Sequence, residues 1–253
     1  MAWRWISASA RGTSHIRSGE SLQDTAHGWG NSSRDSFFVG VVSDGAGSAS
    51  FSKVGSALTC RTFLSSVRTH FVKSSALPSD DQLRAIVDIA RDRIFSVASR
   101  RGLTMRDFAC TLVSVIATRD EAITVHIGDG AIVGRTDEGF LKTLSAPAHG
   151  EYASTTFFIT DEKIDDEKLR IQHHPDRYEY LALMSDGLER LALSMKDVTP
   201  FEPFFRGIFG PLRDSSSTGF DSVLSSKLRH YLDTEPVNAR TDDDKSLVIA
   251  HRI

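Results

Sequence analysis

Between residues 108 and 145 the chain presents four apolar runs, FACTLVSVIAT, AITVHIGDG, AIVGRT and GFLKTL, separated only by short turns. Parallel strands need a crossover of about a dozen residues or more, whereas antiparallel neighbours need only a tight turn. The spacing therefore predicts a meander of antiparallel strands and argues against a doubly wound parallel sheet. Other segments extend the pattern. WRWISASARG near the start alternates weakly, LQDTAHGW follows a polar turn and can pair back with it, and DSFFVGVVSDGAGS carries a continuous apolar run. Runs apolar on both faces are what a strand buried between two layers requires. YEYLALMSDG and the final KSLVIAHRI complete the strand set.

Helices interrupt this pattern in blocks. Residues 50 to 74 place Val54, Leu58, Phe63, Val67 and Phe71 near one stripe. A second helix begins at Ser79, with Gln82 at the third position of a capping box. Leu83, Ile86, Val87, Ala90 and Ile94 recur at helical spacing, and Arg100, Arg101 and Gly102 suit a helix end. Residues 195 to 234 read as helical or irregular. The polar stretch from about 145 to 178 lacks strong periodicity, holds one expected strand (STTFFIT) and reads as a flap or insertion. His173 and His174 fall inside it and are expected in a loop. With no proline- or glycine-rich linker and no internal repeat, residues 1–253 are expected to form one α+β domain of antiparallel sheets flanked by helices.

Composition narrows the chemistry. A net charge of −3 argues against an electrostatic nucleic-acid binder, and 40% hydrophobic with 25% charged residues argues against disorder. The two cysteines, Cys60 and Cys110, belong to no metal-binding cluster and are expected as buried thiols. MAWRWISASARG lacks the apolar core of a signal peptide, and no apolar stretch reaches the ~18 residues of a membrane span. A cytoplasmic location without membrane partners is expected. Trp3, Trp5 and Trp29 are expected in packing roles.

Aspartates stand at the ends of the apolar runs. VGVVSDG ends at Asp44-Gly45, ITVHIGDG at Asp129-Gly130 and LALMSDG at Asp186-Gly187, while Asp242, Asp243 and Asp244 immediately precede the last run. Asp24 lies beside an early strand. Any one of these reads as an ordinary Asp-Gly turn. Strand ends gather at sheet edges, however, so the carboxylates can converge, and unpaired carboxylates in contact repel and raise one another's pKa. Divalent cations relieve that repulsion, and oxygen-only donors suit Mg²⁺ or Mn²⁺ better than Zn²⁺. No GxxxxGK[ST], HExxH or EF-hand loop is present.

These elements, together with Gln23-Asp24 and the TLV run opening at Thr111, resemble the metal-dependent protein phosphatases of type 2C, in family order and across nearly the whole chain. The closest likeness is to compact bacterial members. The resemblance implies a β-sandwich flanked by α-helices on both outer faces, a four-layer αββα arrangement. It implies hydrolysis of phosphoserine and phosphothreonine in proteins by a water bridging two divalent ions, without a phosphoenzyme intermediate. Asp44, Asp186 and Asp243 would hold one Mn²⁺ or Mg²⁺. Asp44 would bridge to a second, shared with the Gly45 carbonyl and Asp24, and Asp129 with Asp186 would match a third, weaker site. Asp244 falls at a family asparagine position, and Asp242 becomes the ligand if the register shifts by one. Phosphorylated proteins, and a cognate kinase that makes them, are the implied partners.

Two departures bear on mechanism. Ala46 replaces a histidine proposed as general acid in many members, and Gly19 stands where members often carry a phosphate-binding arginine. Arg17, Arg11 or His15 could replace that arginine, with Arg17 and His15 the nearer candidates. Those departures leave one alternative, a phosphoprotein-binding pseudophosphatase; a second is a same-fold phosphatase for a small phosphoester, which a pocket closed to polypeptides by residues 145–178 would support.

Overall fold

The computed structural model describes residues 2–31, 36–148 and 156–253. Its strands are β1 (Trp3–Ala10), β2 (Thr25–Gly30), β3 (Phe38–Ser43), β4 (Leu112–Ala117), β5 (Ala122–Ile127), β6 (Ala131–Thr136), β7 (Leu141–Ser145), β8 (Arg170–His174), β9 (Tyr178–Met184), β10 (Gly219–Phe220) and β11 (Lys245–Arg252). The helices are α1 (Thr13–Ser18), α2 (Ser52–Lys73), α3 (Asp80–Arg100), α4 (Glu189–Ala192), α5 (Glu202–Arg213), α6 (Ser222–Leu232) and α7 (Glu235–Asn238). One sheet runs β10-β1-β11-β9-β6-β7 and the other β2-β3-β4-β5-β8. Among the described pairings every neighbour is antiparallel except the two-residue β10, which lies parallel to β1.

Strand alternation builds three apolar layers from these two sheets. Between the sheets lie Trp3, Phe38, Val42, Val113, Leu181, Leu183, Val248 and Ala250. On the outer face of the five-stranded sheet, Val39, Val41, Leu112 and Ile116 pack against Phe63 and Val67 of α2 and Leu83 and Ile94 of α3. On the other outer face, Tyr180, Ala182, Leu247 and Ile249 meet Phe205 and Phe209 of α5 and Leu228 of α6. Successive residues of β3, β9 and β11 thus serve different layers, which is why those runs are apolar without a break. The result is the expected four-layer sandwich with helices on both outer faces. Ser79 caps α3 as read from the sequence, its Oγ accepting from the Gln82 N–H at 3.3 Å and its own N–H donating to Gln82 Oε1 at 2.9 Å.

Several local expectations change. The polar turn after β1 contains the short helix α1, and β2 does not pair back with β1 but joins β3 in the other sheet, while β1 pairs with β11. His173 and His174 lie in edge strand β8, because pairing with β5 satisfies their backbone; His173 also pairs with Asp80 at 2.8 Å, and His174 Nε2 contacts Thr124 Oγ1 at 3.1 Å. Of the expected strand at 154–160, Ser154 and Thr155 lie outside the described residues, as do residues 149–153 of the expected flap. Phe157–Thr160 form no strand. Instead Ile159 is a buried plug, its N–H donating to the Cys110 carbonyl at 2.9 Å and its carbonyl accepting from Arg91.

A buried polar cluster ties both ends of this insertion to the sandwich. The Arg170 guanidinium donates to His126 Nδ1 at 2.9 Å and to the Ala146 carbonyl at 2.7 Å, while Ser145 Oγ lies 2.7 Å from His126 Nδ1. Burial first, and Arg170 second, hold the His126 pKa well below its ordinary value.

Two predictions concern this scaffold. A Cβ at Gly55 of α2 would overlap the Phe108 carbonyl oxygen. Gly55→Ala should therefore lower stability by about 1–3 kcal/mol, read as a lower urea midpoint; an unchanged midpoint would contradict the close approach. His251 is buried against Tyr180 with ring centroids 4.3 Å apart, and burial lowers its pKa from 6.5 to about 4. The unfolded chain takes up this proton before the folded one does, so the stability contribution is complete above pH 6.5 and is lost as pH falls toward about 4. Thermal melts should show a shallower pH slope over that window for His251→Phe than for the parent protein. Identical slopes would exclude His251 as a source.

Candidate metal centre

Strand register brings the aspartates to one end of the sandwich. Ala10 pairs with Lys245, Leu247 with Met184, and Met184 also with Ala131. The segment before β11 (Asp243), the segment after β9 (Asp186) and the turn before β6 (Asp129) therefore share an edge. In the other sheet Thr25 pairs with Ser43, which sets Asp24, just before β2, beside Asp44, just after β3. Both edges lie at the same end, because Asp24 feels the charges of Asp244 and Asp186, and Asp44 those of Asp24, Asp186 and Asp243.

The backbone around Asp44 is held from β4. The Thr111 N–H donates to the Asp44 carbonyl at 2.8 Å, the Asp44 N–H donates to Thr111 Oγ1 at 2.9 Å, and the Ala46 N–H donates to the Ala109 carbonyl at 3.0 Å. These bonds flank the isolated bridge between Gly45 and Cys110. In such a pair the opposed residues make no bond to each other, so the Gly45 carbonyl is directed away from β4. The loop after β9 is fixed similarly. Ser185 exchanges bonds with Ser246, its N–H donating to the Ser246 carbonyl at 3.1 Å and its Oγ accepting the Ser246 N–H at 3.0 Å. Gly187 passes so close to the Asp244 carbonyl that no side chain fits there.

Burial makes these carboxylates costly to ionise. Loss of water, then the charges of Asp244 and Asp186, push Asp24 from 3.8 to about 8, although Ser185 and Asp44 act in the opposite sense. Asp44 is raised well above its ordinary value, first by burial and then by Asp24, Asp186 and Asp243. Both carboxylate oxygens of Asp24 are buried, with no hydrogen bond of ordinary geometry among the described residues. Buried acceptors left in this way call for a cation. Among the described residues no three such side chains already close into a finished ligand set, so cation binding would draw the carboxylates inward. The donors at hand are oxygens alone, which fits Mg²⁺ or Mn²⁺.

Asp244 behaves differently from its neighbours. It is buried, and its two oxygens accept the Gly12 N–H and the Gln23 N–H, each at 2.6 Å, with His15 Nδ1 3.0 Å away. It thereby fastens the chain on both sides of α1, including the residue before Asp24, and is spent as an anchor. Asp243 is exposed, lines a cleft with Asp186, and accepts the Asp244 N–H at 2.7 Å. Asp242 is exposed and pairs with Arg17 at 3.0 Å. Arg17 and His15 are thus turned toward Asp242 and Asp244, and Arg11 donates to the Glu20 carbonyl at 3.2 Å. Asp129 is half-buried in the β5–β6 turn, at the edge shared with Asp186.

Sequence reasoning missed the anchoring role of Asp244, which looked like one acidic residue in a row of three. It also missed Thr111 and Ser185 as backbone clamps; their only signal was a hydroxyl flanking each carboxylate-bearing strand end.

Comparison with known proteins gives the family and the fold. The chain is 36% identical over 254 residues to serine/threonine-protein phosphatase 3 of Escherichia coli (strain K12), covering 99% of this chain and 98% of that protein. Its fold matches the serine/threonine phosphatase Stp1 from Staphylococcus aureus with a TM-score of 0.63 at 14% identity, covering 98% and 94% of the two chains. It also matches the catalytic domain of the serine threonine protein phosphatase PstP, solved in complex with two manganese ions, with a TM-score of 0.63 at 17% identity over 99% and 98%. Residues 11–233 match the family model described as Protein phosphatase 2C, and the chain belongs to that family.

Proposed function

We propose that this phosphatase hydrolyses phosphoserine and phosphothreonine in proteins, using divalent cations held by the aspartates at the open end of the sandwich. The observation that carries the reading is the convergence of Asp24, Asp44, Asp186 and Asp243, from both sheets, into one mutually repelling cluster. A chain with no use for a cation would gain by replacing any of them. Asp44, Asp186 and Asp243 would hold one Mn²⁺ or Mg²⁺; Asp44, the Gly45 carbonyl and Asp24 a second; Asp129 with Asp186 a third, weaker one. Divalent ions in such a site supply an activated water at neutral pH and stabilise charge on the phosphoryl oxygens.

The chain's own residues set the conditions for that chemistry. Thr111 and Ser185 lock the backbone that presents Asp44 and Asp186, so adjustment on cation binding falls to the side chains. Asp244 keeps the segment preceding Asp24 pressed against the start of β11. Ala46 can neither donate nor accept a proton through its side chain, so no general acid stands beside Asp44 at that position. Leaving groups that need protonation should therefore turn over more slowly than those that do not; general acid help is worth about 10²–10⁴-fold. The retained carboxylate set favours catalysis over a binding-only role. Among the described residues no helix is long and apolar enough to cross a membrane, and the proposed substrates are kinase-phosphorylated proteins of the cytoplasm.

An aryl phosphate, whose leaving group needs no proton, is the direct probe. Hydrolysis should require Mn²⁺ or Mg²⁺ and stop on chelation. Asp44→Asn and Asp186→Asn should each reduce kcat/KM by about a hundredfold or more, beyond the ~10–100-fold usual for residues that only support a metal ligand. Robust turnover by either variant would overturn the ligand assignment, and turnover in excess chelator would overturn the metal requirement.

A further inference from the structure

A cleft of about 440 Å³ opens beside the aspartate cluster, with Asp186 and Asp243 in its wall. Asp44, Asp24 and Gly45 do not line it, so it extends to one side of the centre. Arg190 of α4, four residues after Asp186, and Arg240, just after α7, also line it. The backbone under both is ordered. The Leu193 N–H donates to the Glu189 carbonyl at 2.8 Å, and the Arg240 N–H donates to the Val237 carbonyl at 3.0 Å. Asn238, also in the lining, accepts from the buried Lys245 ammonium at 2.7 Å.

The charges of this cleft do not cancel internally. Asp242 is engaged by Arg17 at 3.0 Å, and Asp186 and Asp243 are assigned to cations. Arg190 and Arg240 have no ion pair or side-chain hydrogen bond among the described residues. What remains is two guanidinium groups against the single carboxylate of Glu189. Guanidinium forks bind carboxylates and phosphates bidentately. The groups nearest the N-terminal strand end that could have met substrate anions, Arg17 and His15, already face Asp242 and Asp244.

We infer that Arg190 and Arg240 form an anion subsite that receives an acidic group of the substrate polypeptide, a carboxylate or a second phosphate, flanking the phosphoserine or phosphothreonine under hydrolysis. The inference rests on the phosphoprotein reading above. It makes the protein selective for phosphorylation sites in acidic surroundings, and the selectivity belongs to the cleft, separate from the reacting phosphate.

The test uses the full chain with Mn²⁺ and one phosphoserine peptide made in four versions. Its flanking residues are alanine, glutamate, lysine, or a non-hydrolysable phosphonate analogue of phosphoserine, placed on either side. The parent protein should favour the glutamate or phosphonate version over the alanine version by about tenfold in kcat/KM, mainly through KM. The lysine version should fall below alanine. This preference should fade as salt rises toward 1 M, where screening acts within ~3 Å. Whichever acidic version gains more assigns carboxylate or phosphate as the preferred group. In the double variant Arg190→Ala, Arg240→Ala the ratio of acidic to neutral peptide should fall to about one. Arg190→Lys, Arg240→Lys should restore part of it, which separates loss of charge from loss of folding. Equal rates on all four peptides would overturn the subsite. So would an equal loss in the alanine double variant on every substrate including aryl phosphate, which would place the arginines on the reacting phosphate itself. Failure of the parent protein on aryl phosphate and every peptide would instead refute the phosphatase reading.

Discussion

Repulsion among buried carboxylates is the constraint around which this fold is organised. Asp24 is buried and Asp44 half-buried, and loss of water first and their neighbours second raise the pKa of each. Nothing in the apolar layers requires them there. Their placement is possible because the neighbouring backbone is over-determined: Thr111 holds both the N–H and the carbonyl of Asp44, and Ser185 and Ser246 exchange bonds across β9 and β11. Asp244 contributes the firmest of these ties, one carboxylate joining the segments on both sides of α1 to the start of β11.

The sandwich itself follows from simpler rules. Unbroken apolar runs such as Leu181–Met184 read as strands buried on both faces, and the structure sorts their alternate side chains into inter-sheet and helix-side layers. Short turns between runs made the antiparallel topology legible, and Ser79 with Gln82 marked the start of α3. Long-range pairing was not legible in the same way. The two-residue β10 has no periodicity to read, and β8 carries Arg-Ile-Gln-His-His, whose strand state depends on β5 being available as a partner. Ile159 lies in a run that looks like a strand, yet its burial against the helix-side core and the Cys110 carbonyl holds it in a turn.

At the site, residue types were readable and partnerships were not. Carboxylates at strand ends suggested convergence because antiparallel register is a two-residue rule. Whether Arg17 faces a substrate or Asp242 depends on where α1 settles, and α1 is set by backbone bonds from Ser14 and Gly12 that leave no compositional trace. Among Asp242, Asp243 and Asp244 the division of labour is likewise three-dimensional: two are exposed and line the cleft, Asp242 paired with Arg17, and Asp244 is buried under two N–H groups.

Cation binding by the aspartate cluster is the central proposal, and calorimetric titration of Mn²⁺ into the metal-free full chain tests it most directly. The parent protein should show saturable binding of at least two ions, and Asp44→Asn, which removes the proposed shared donor, should lose the tighter binding while remaining folded by circular dichroism. Absence of binding heat in the parent protein, or equal Mn²⁺ affinity in the parent and Asp44→Asn, would contradict it.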